Sequence, residues 1–95
     1  LKGHKGIINT AQFSPDSKKI VTASSDKTSR TWEVSTGNLL ITFTGKDGHA
    51  EALNFAQFSP ANADDSIGGK YIVTASDDKT IKIWDAAKGV LFKRA

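Results

Sequence analysis

Short runs of apolar and β-branched residues, separated by polar turns, recur along this chain of 95 residues. The clearest is Thr74–Asp85, TASDDKTIKIWD, in which a run of small residues, a polar turn and an alternating run follow one another. β-branched and aromatic residues at this spacing around a short polar turn predict a β-hairpin. The stretch Thr22–Glu33, TASSDKTSRTWE, has the same spacing and predicts a second hairpin.

The whole chain consists of two copies of one pattern. GHKGIINTAQFSP, which starts at Gly3, aligns with GHAEALNFAQFSP, which starts at Gly48, at an offset of 45 residues. KKIVTASSDKTSRTWE, from Lys18, aligns with KYIVTASDDKTIKIWD, from Lys70, at an offset of 52 residues. The difference of seven residues is an insertion within 61–69. We therefore divide the chain into a first repeat, 1–47, and a second repeat, 48–95.

Each repeat predicts four strands and no helix. The predicted strands are Ile8–Phe13, Lys19–Ser24, Thr28–Glu33 and Leu39–Phe43, followed by Leu53–Phe58, Tyr71–Ser76, Thr80–Asp85 and Val90–Lys93. Pro15 and Pro60 end the first strand of each repeat, because proline cannot donate to a strand ladder. No segment has apolar residues at helical spacing over two turns, so the class is all-β.

The predicted second strands are apolar or small on both faces, so each four-stranded antiparallel sheet needs another sheet against each face. Such sheets repeated around an axis form a β-propeller, which closes with roughly 4–8 blades. Two blades cannot close the ring alone. A longer chain would supply the remaining blades, or identical copies would, three copies making six blades and four making eight. The absence of methionine and the start at Leu1 favour a piece of a longer reading frame or a processed product.

Composition narrows the classes of partner and compartment. The net charge is +3, but the 13 basic residues are scattered among 10 acids, whereas a nucleic-acid interface clusters its charge. No apolar run approaches the roughly 20 residues of a membrane span. We therefore expect neither a nucleic-acid nor a membrane partner. The lack of cysteine excludes disulfides and thiolate metal sites, and suits an intracellular, cytoplasmic location.

Residues typical of catalytic triads recur in both repeats. They are His4 and Asp26 with Thr22 or Ser24, then His49 and Asp78 with Thr74 or Ser76. A nucleophile needs an exposed cleft and an oxyanion hole, and the sequence indicates neither. Buried hydroxyl, imidazole and carboxylate groups can instead satisfy one another and make a fold rigid. We interpret these residues as structural, and expect no catalysis, cofactor or metal.

The landmarks Gly-His, Phe-Ser-Pro, Thr-Ala-Ser-x-Asp-Lys-Thr and Trp-[Asp/Glu] occur twice in this order, at 3–4, 13–15, 22–28 and 32–33 and again at 48–49, 58–60, 74–80 and 84–85. In these landmarks the chain resembles the WD-repeat family, whose repeats of about 40–45 residues form propeller blades. The resemblance implies one hydrogen-bonded network per blade, made by His4, Thr22, Asp26 and Trp32 and by His49, Thr74, Asp78 and Trp84. Ser29 and Thr31 depart from the apolar Ile81 and Ile83 of the second repeat, which predicts looser packing of the third strand in the first repeat.

The resemblance implies a non-enzymatic scaffold that presents rigid loops for protein or peptide binding. The contact surface would be the rim where the Gly-His segments meet the Asp turns. Its candidate residues are Lys5, Ser25, Ala50, Glu51 and Asp77, with Arg30 and Lys82 on the third strands. Two alternatives remain open: an architectural unit whose role is self-assembly into a ring, and a propeller that accompanies a catalytic domain. The insertion at 61–69 lacks aromatic or Arg anchors, which favours a tolerated excursion over a recognition loop.

Overall fold

A computed structural model describes residues 5–43, 51–60 and 68–94 of the chain, and all its regular elements are strands. The first four are β1 (Ile8–Phe13), β2 (Lys19–Ser24), β3 (Ser29–Glu33) and β4 (Leu39–Phe43). The other four are β5 (Leu53–Phe58), β6 (Tyr71–Ser76), β7 (Ile81–Asp85) and β8 (Leu91–Arg94). The all-β class and the eight predicted strands are confirmed.

Four strand bounds differ from the prediction by one residue. The end of β8 lies at Arg94 and not at Lys93, and the turns explain the other three. β3 and β7 start one residue late because Thr28 and Thr80 belong to the preceding turns, where their backbone N–H groups donate to aspartate carboxylates. β8 starts at Leu91 because the carbonyl oxygen of Val90 accepts from Asp85 N at 2.9 Å and closes the turn. Turn hydrogen bonds of this kind compete with the ladder for the same backbone groups.

The strands form two antiparallel sheets in the order β1-β2-β3-β4 and β5-β6-β7-β8, which we call the first blade and the second blade. Residues directly opposite one another in the register share a face. In the second blade Ile72 lies opposite Trp84, and Val73 lies opposite Ile83. We therefore call the two sides of each blade its tryptophan face and its valine face. The tryptophan faces carry Ala11, Phe13, Ile20, Thr22 and Trp32 in the first blade and Ala56, Phe58, Ile72, Thr74 and Trp84 in the second.

The core lies between the two blades, not inside either one. Val21 and Ala23, on the valine face of the first blade, are fully buried together with Ile72 and Trp84, on the tryptophan face of the second. Phe43 meets Trp84 edge to face, with ring centroids 5.5 Å apart. Burial of apolar surface of this kind is the main favourable term in folding. The second blade therefore packs its tryptophan face on the valine face of the first.

The remaining face of each blade is not covered by a sheet in the described part of the chain, so the two sheets do not close a ring. Trp32 and Thr22, on that face of the first blade, are nevertheless buried. Phe13, on the tryptophan face of the first blade, has 62% of its surface exposed, whereas its counterpart Phe58 has 5%. On the valine face of the second blade, Ile81 is 46% exposed and Val73 and Ile83 are half-buried. Two blades taken from a larger propeller, without their neighbours, would have open faces of this kind.

Ser29 and Thr31 do not interrupt the third strand of the first blade, which has the same five residues' length as its counterpart and pairs on both sides. Both residues are buried against the second blade. Their hydroxyl oxygens have no hydrogen-bond partner in the described part of the chain. The polar substitutions are therefore accommodated within a regular strand, with two buried hydroxyl groups left unpaired.

Candidate functional site

The turns between the second and third strands of both blades have the same construction. Asp26 Oδ1 accepts from Thr28 N at 3.0 Å and also from the Thr28 hydroxyl. Asp78 does the same with Thr80 N, at 2.9 Å, and with its hydroxyl. The lysine after each aspartate has a positive φ, 74° at Lys27 and 69° at position 79. An aspartate that accepts from the backbone two residues later stabilises such a tight turn.

Each Asp turn is tied to the segment before the first strand of its own blade. In the first blade, Asp26 Oδ2 accepts from Lys5 N at 3.0 Å, and Ser25 N donates to the carbonyl oxygen of Ile7 at 2.8 Å. In the second, Asp77 N donates to the carbonyl oxygen of Ala52 at 3.0 Å. Both turns thus lie at one end of the blades. We call this end, formed by residues 5–7, 25–27, 51–52 and 77–79, the Asp-turn rim.

Beneath the rim, each tryptophan is bonded to a threonine of the neighbouring strand. Trp32 Nε1 donates to Thr22 Oγ1 at 3.1 Å, and Trp84 Nε1 donates to Thr74 Oγ1 at 3.0 Å. All four residues are buried. A buried indole N–H without an acceptor would be costly, so these bonds hold the second and third strands together.

The two histidines expected to complete each network, His4 and His49, lie outside the described residues. The structure therefore brings together the tryptophan and threonine of each blade and places each aspartate in the adjoining turn. The four-membered networks remain a prediction.

The candidate rim residues differ in their accessibility. Lys5, Ser25, Glu51 and Asp77 are exposed, Arg30 is half-buried, and Ala50 lies outside the described residues. Lys82 keeps only 7% of its surface exposed, because its position opposite Thr74 places it on the side that packs against the first blade. The accessible part of the rim therefore consists of side chains from the turns and from the segments before β1 and β5.

Two asparagines at the rim were not singled out by the sequence analysis. Asn9 and Asn54 lie at register shifts, or β-bulges, in β1 and β5, the first strands of the two blades. Asn54 Nδ2 donates to Asp77 Oδ1 at 2.6 Å, and Asn9 Nδ2 donates to Ser25 Oγ at 3.3 Å. Bulges redirect side chains, and here they direct both amides to the Asp turns. The sequence signal was an asparagine at the same place in the first strand of both repeats.

Asn9 also links the two blades at the rim. Its Nδ2 donates to the carbonyl oxygen of Leu53 in the second blade at 2.6 Å. The rim is thereby fixed between blades as well as within each blade.

The opposite end of the first blade contains a capped turn after β1. Asp16 Oδ1 accepts from the Ser14 hydroxyl at 2.6 Å and from Lys18 N at 2.9 Å. The bond from Ser14, followed by the bond from Lys18 N, lowers the pKa of Asp16 from its ordinary value. In the second blade the insertion replaces this turn. Gly69 N donates to the carbonyl oxygen of Ser59 at 2.7 Å and Ser59 N to that of Tyr71 at 2.8 Å, which closes the base of the insertion.

Within residues 5–43, 51–60 and 68–94, no three histidine, cysteine or acidic side chains are grouped so that they could hold a metal ion. The same ranges contain no helix that is long and apolar enough to span a bilayer. Beyond the rim, the concave sites include an open groove of about 320 Å³ that is lined by Gln57, Pro60, Tyr71, Val73 and Ile83. It lies on the open valine face of the second blade.

Comparison with known proteins agrees with the two-blade architecture. The sequence profile described as "WD domain, G-beta repeat" matches residues 1–33 and 37–85. The guanine nucleotide-binding protein subunit beta of Zea mays is 31% identical over 88 residues, 90% of this chain and 22% of that protein. The nuclear distribution protein nudF of Aspergillus niger is 36% identical over 84 residues, 88% of this chain and 16% of that protein.

Protein Notchless of Drosophila melanogaster is 37% identical over 96 aligned positions, which cover 96% of this chain and 17% of that protein. The chain thus spans between 16% and 22% of the length of these curated relatives. Each of these relatives is several times longer than the two blades.

Proposed function

The chain belongs to the WD-repeat family, and from that premise we propose that it is a non-enzymatic scaffold that presents rigid loops at the Asp-turn rim to a protein or peptide. One contrast carries the proposal. Ser25 and Asp77 occupy equivalent positions, differ in chemistry and are exposed. The adjoining Asp26 and Asp78 are identical, and both are engaged in turn hydrogen bonds. The exposed turn residue therefore differs between the two blades, whereas the aspartate that stabilises the turn is the same.

The hydrogen bonds beneath the rim support a binding role because they order the loops before a partner arrives. The turn of the first blade is tied to Lys5 N and the turn of the second to Ala52 O. A surface that is already ordered loses less conformational entropy on binding. Loops held on a rigid scaffold are common recognition surfaces.

We extend the proposal to the networks under the rim. In each blade the bonded tryptophan and threonine would continue through a histidine to the aspartate of the turn, by way of His4 to Asp26 and His49 to Asp78. The Trp–Thr hydrogen bonds support this arrangement. Its role would be to hold the blade together and not to catalyse a reaction.

The chemistry of the rim favours protein or peptide partners over nucleic acid or membrane. Lys5 contributes a positive charge, whereas Glu51 and Asp77 contribute negative charges, and all three are exposed. Binding to a phosphate backbone requires a concentration of positive charge. A mixed surface with amide groups at Asn9 and Asn54 suits the polar groups of a peptide.

The open faces favour a second kind of partner. Each is a sheet surface with half-buried or exposed apolar residues, and the matching faces inside the molecule are covered. We propose that further propeller blades cover them, supplied by the rest of a longer chain or by identical copies. Apolar faces of this size on a sheet are rarely left in water.

Selection of peptides tests the rim. A phage-displayed library of random peptides is selected on the immobilised chain, and the enriched peptides are measured against Asp77→Arg. We expect this substitution to weaken binding by about tenfold or more, because it reverses an exposed charge on the proposed surface. The matched control is Ser35→Arg, in the exposed turn between β3 and β4 at the opposite end of the blades.

Peptides that bind Asp77→Arg and the unaltered chain equally well would contradict the rim assignment. Loss of binding that is confined to Ser35→Arg would place the surface at the other end. Thermal unfolding of both variants, compared with the unaltered chain, separates a lost contact from a lost fold.

A further inference from the structure

The two blades carry different charges at the Asp-turn rim, and every difference has the same sign. Lys5 stands where the second blade has an alanine, and Glu51 stands where the first blade has a glycine. In the turns, Ser25 of the first blade corresponds to Asp77 of the second. Each of these three differences makes the rim of the second blade more negative than the rim of the first.

The other charges of the rim are the same in both blades, so they leave the contrast as it is. Each turn contains one further aspartate followed by a lysine. Two lysines and one aspartate give the rim of the first blade one net positive charge, whereas three acids and one lysine give the rim of the second two net negative charges. We call Lys5 and Lys27 the positive pole of the rim, and Glu51 and Asp77 its negative pole.

The side chains of both poles are exposed, whereas the aspartate that the two turns share is half-buried. In the first blade this aspartate uses both of its carboxylate oxygens inside the rim. Asp26 Oδ1 accepts from Thr28 N at 3.0 Å, and Asp26 Oδ2 accepts from Lys5 N at 3.0 Å. A partner therefore meets the lysine side chains of the positive pole first. Exposed charges of one sign attract the opposite charge in a partner.

Hydrogen bonds hold the negative pole together. Ser76 Oγ donates to the carbonyl oxygen of Glu51 at 3.1 Å, and Asp77 N donates to that of Ala52 at 3.0 Å. Glu51 thus lies beside the turn that contains Asp77. Asn54 Nδ2 donates to Asp77 Oδ1 at 2.6 Å, which orients this carboxylate. The two acids are positioned before any partner binds, which reduces the entropy lost on binding.

The amide of Asn9 lies between the two poles. Its Nδ2 donates to Ser25 Oγ at 3.3 Å and to the carbonyl oxygen of Leu53 at 2.6 Å. Ser25 is two residues from Lys27 in the positive pole, and Leu53 is two residues from Glu51 in the negative pole. An extended peptide spans about 3.3–3.6 Å per residue, so a segment of a few residues can reach both poles.

We propose that the Asp-turn rim binds an extended peptide segment that places an acidic side chain against the positive pole and a basic side chain against the negative pole. The inference rests on the proposed function and specifies the chemistry and the direction of the partner. A peptide of one charge gains attraction at one pole and meets repulsion at the other. Such repulsion is a common source of specificity between partners.

The repeat supplies variants for the test, because the two turns have the same construction and each can take the residue of the other. Ser25→Asp brings the acid of the second turn to the first blade, and Asp77→Ser removes it from the second. Random peptides displayed on phage are selected separately on the unaltered chain and on each variant. We expect the unaltered chain to enrich peptides with one acidic and one basic residue. Selection on Ser25→Asp should lose the preference for the acidic residue, and selection on Asp77→Ser the preference for the basic one.

A synthetic peptide from the first selection gives the size of the effect. We expect each variant to weaken its binding by about two- to fivefold, the range that an exposed ion pair contributes. The losses should shrink as the salt concentration rises. A peptide whose acidic residue is replaced by lysine should bind Ser25→Asp better than it binds the unaltered chain. The matched control is Ser35→Asp, which makes the same change of charge in an exposed turn at the opposite end and should leave the affinity unaltered.

Two further variants keep the test decisive if a turn substitution disturbs folding, which thermal unfolding measures. Lys5→Ala introduces the residue of the second repeat and keeps the backbone N–H that bonds to Asp26. Glu51→Gln removes a charge and keeps the shape of the side chain. We expect the first variant to weaken the preference for an acidic residue and the second to weaken the preference for a basic one.

Peptides enriched without a preference for charge would overturn the inference, as would equal losses of affinity for Ser25→Asp and Ser35→Asp. Loss of binding on Asp77→Arg, with none on Asp77→Ser or Ser25→Asp, would keep the partner at the rim and contradict only its proposed charges. Peptides that bind Asp77→Arg as well as the unaltered chain would contradict the proposed function and the inference together. The two failures are therefore distinguishable.

Discussion

Among single residues, two buried threonines at the blade interface differ in the use of their hydroxyl groups. Thr74 Oγ1 accepts the indole N–H of Trp84 at 3.0 Å. Thr31 Oγ1 is buried with no hydrogen-bond partner among the described residues. Valine has nearly the shape of threonine without the hydroxyl group. The same substitution at the two positions therefore compares a hydroxyl group that is hydrogen-bonded with one that has no partner among the described residues.

We predict that Thr74→Val lowers the free energy of unfolding by about 1–3 kcal/mol, because it leaves the Trp84 N–H buried without its acceptor. Urea unfolding followed by tryptophan fluorescence measures the change. An unaltered midpoint would show that the Trp–Thr bond does not contribute to blade stability, and would remove the main support for the proposed network.

Thr31→Val is the matched variant, and we predict that it leaves the free energy of unfolding unchanged or raises it. The substitution removes a buried hydroxyl group that has no partner in the described structure, and the cost of its desolvation disappears with it. The urea midpoint should remain equal or increase. A clear decrease would indicate that the hydroxyl group makes a contact after all.

Asp16 gives a prediction for the effect of pH. Because the hydrogen bonds from Ser14 and Lys18 lower the pKa of Asp16 in the folded chain from 3.8, its charged form stabilises the fold above that value. The contribution is lost as the pH falls through the lowered pKa. We therefore expect the stability advantage of the unaltered chain over Asp16→Asn to be present at neutral pH and to vanish in acid. Thermal melts across that range measure it, and Ser14→Ala should move the pKa back towards its ordinary value in an NMR titration.

Residue identities allowed the sequence to predict some side-chain contacts and not others. Trp32, Thr22 and their counterparts could be named because the motifs that resemble the WD-repeat family contain them. Asn9 and Asn54 also occur at the same place, yet an asparagine in a strand carries no signal of where a bulge will direct it. The bulge depends on the pairing register, which two turns and a partner strand decide together.

Among the elements, β1 and β5, the first strands of the two blades, are joined at the rim by a hydrogen bond. We predict that Asn9→Ala destabilises the chain by about 0.5–1.5 kcal/mol, the usual net contribution of a hydrogen bond, because it removes the bond to the Leu53 carbonyl oxygen. Asn54→Ala is the matched control, since its amide bonds to Asp77 within its own blade at an exposed position. Equal effects in a urea titration would show that the contact across the blades adds nothing.

The turn between β7 and β8 packs closely against the first blade. Gly89 has a φ of +72°, and a Cβ atom at this position would lie 2.7 Å from Ile41 Cγ2. An alanine in the left-handed conformation costs about 1–2 kcal/mol. We predict that Gly89→Ala lowers the free energy of unfolding by more than this, because the methyl group also forces Ile41 to move. Gly37 has a φ of 74° in the equivalent turn of the first blade. Gly37→Ala should therefore lower the free energy of unfolding only by the cost of the left-handed backbone conformation. Comparison of the two melting temperatures checks this, and equal losses would contradict it.

Strand positions were predictable because alternation and proline fix them locally, and five of the eight strands agree at both ends. The starts of the remaining three strands depend on hydrogen bonds that reach across a turn. At Thr28 and Thr80, the aspartate two residues earlier captures the backbone N–H, and a β-branched residue that belongs to a strand by propensity becomes part of a turn.

For the whole molecule, the position of the core decides what can fold. Most of the buried apolar residues of both blades belong to one cluster between the sheets. We predict that residues 1–47 or 48–95 alone do not fold, because either piece would expose a face that the other one covers. Circular dichroism and dispersion of amide NMR signals measure this against the full chain. A cooperative melt by either piece would contradict the prediction.

The sequence predicted two blades with apolar faces, since both the repeat and the patterning of β2 and β6 are local properties. It could not predict which face meets which. That choice depends on details such as Phe43, which reaches across to Trp84 from the outer strand, and on the fit of Gly89 against Ile41. Contacts between sheets are set by shape over a whole surface, and no spacing along the chain records them.

The near identity of the open and the covered faces bears on how such a chain lengthens in evolution. A tandem duplication of the coding segment would bring the valine face of one unit to the tryptophan face of the next. Apart from Ile81 and Ile83, which replace Ser29 and Thr31, the new contact would repeat side chains that already pack at the existing one. No compensating substitutions would be required before the longer product became stable. Arrays of these units can therefore grow by whole copies in one genetic event, and lose them in the same way.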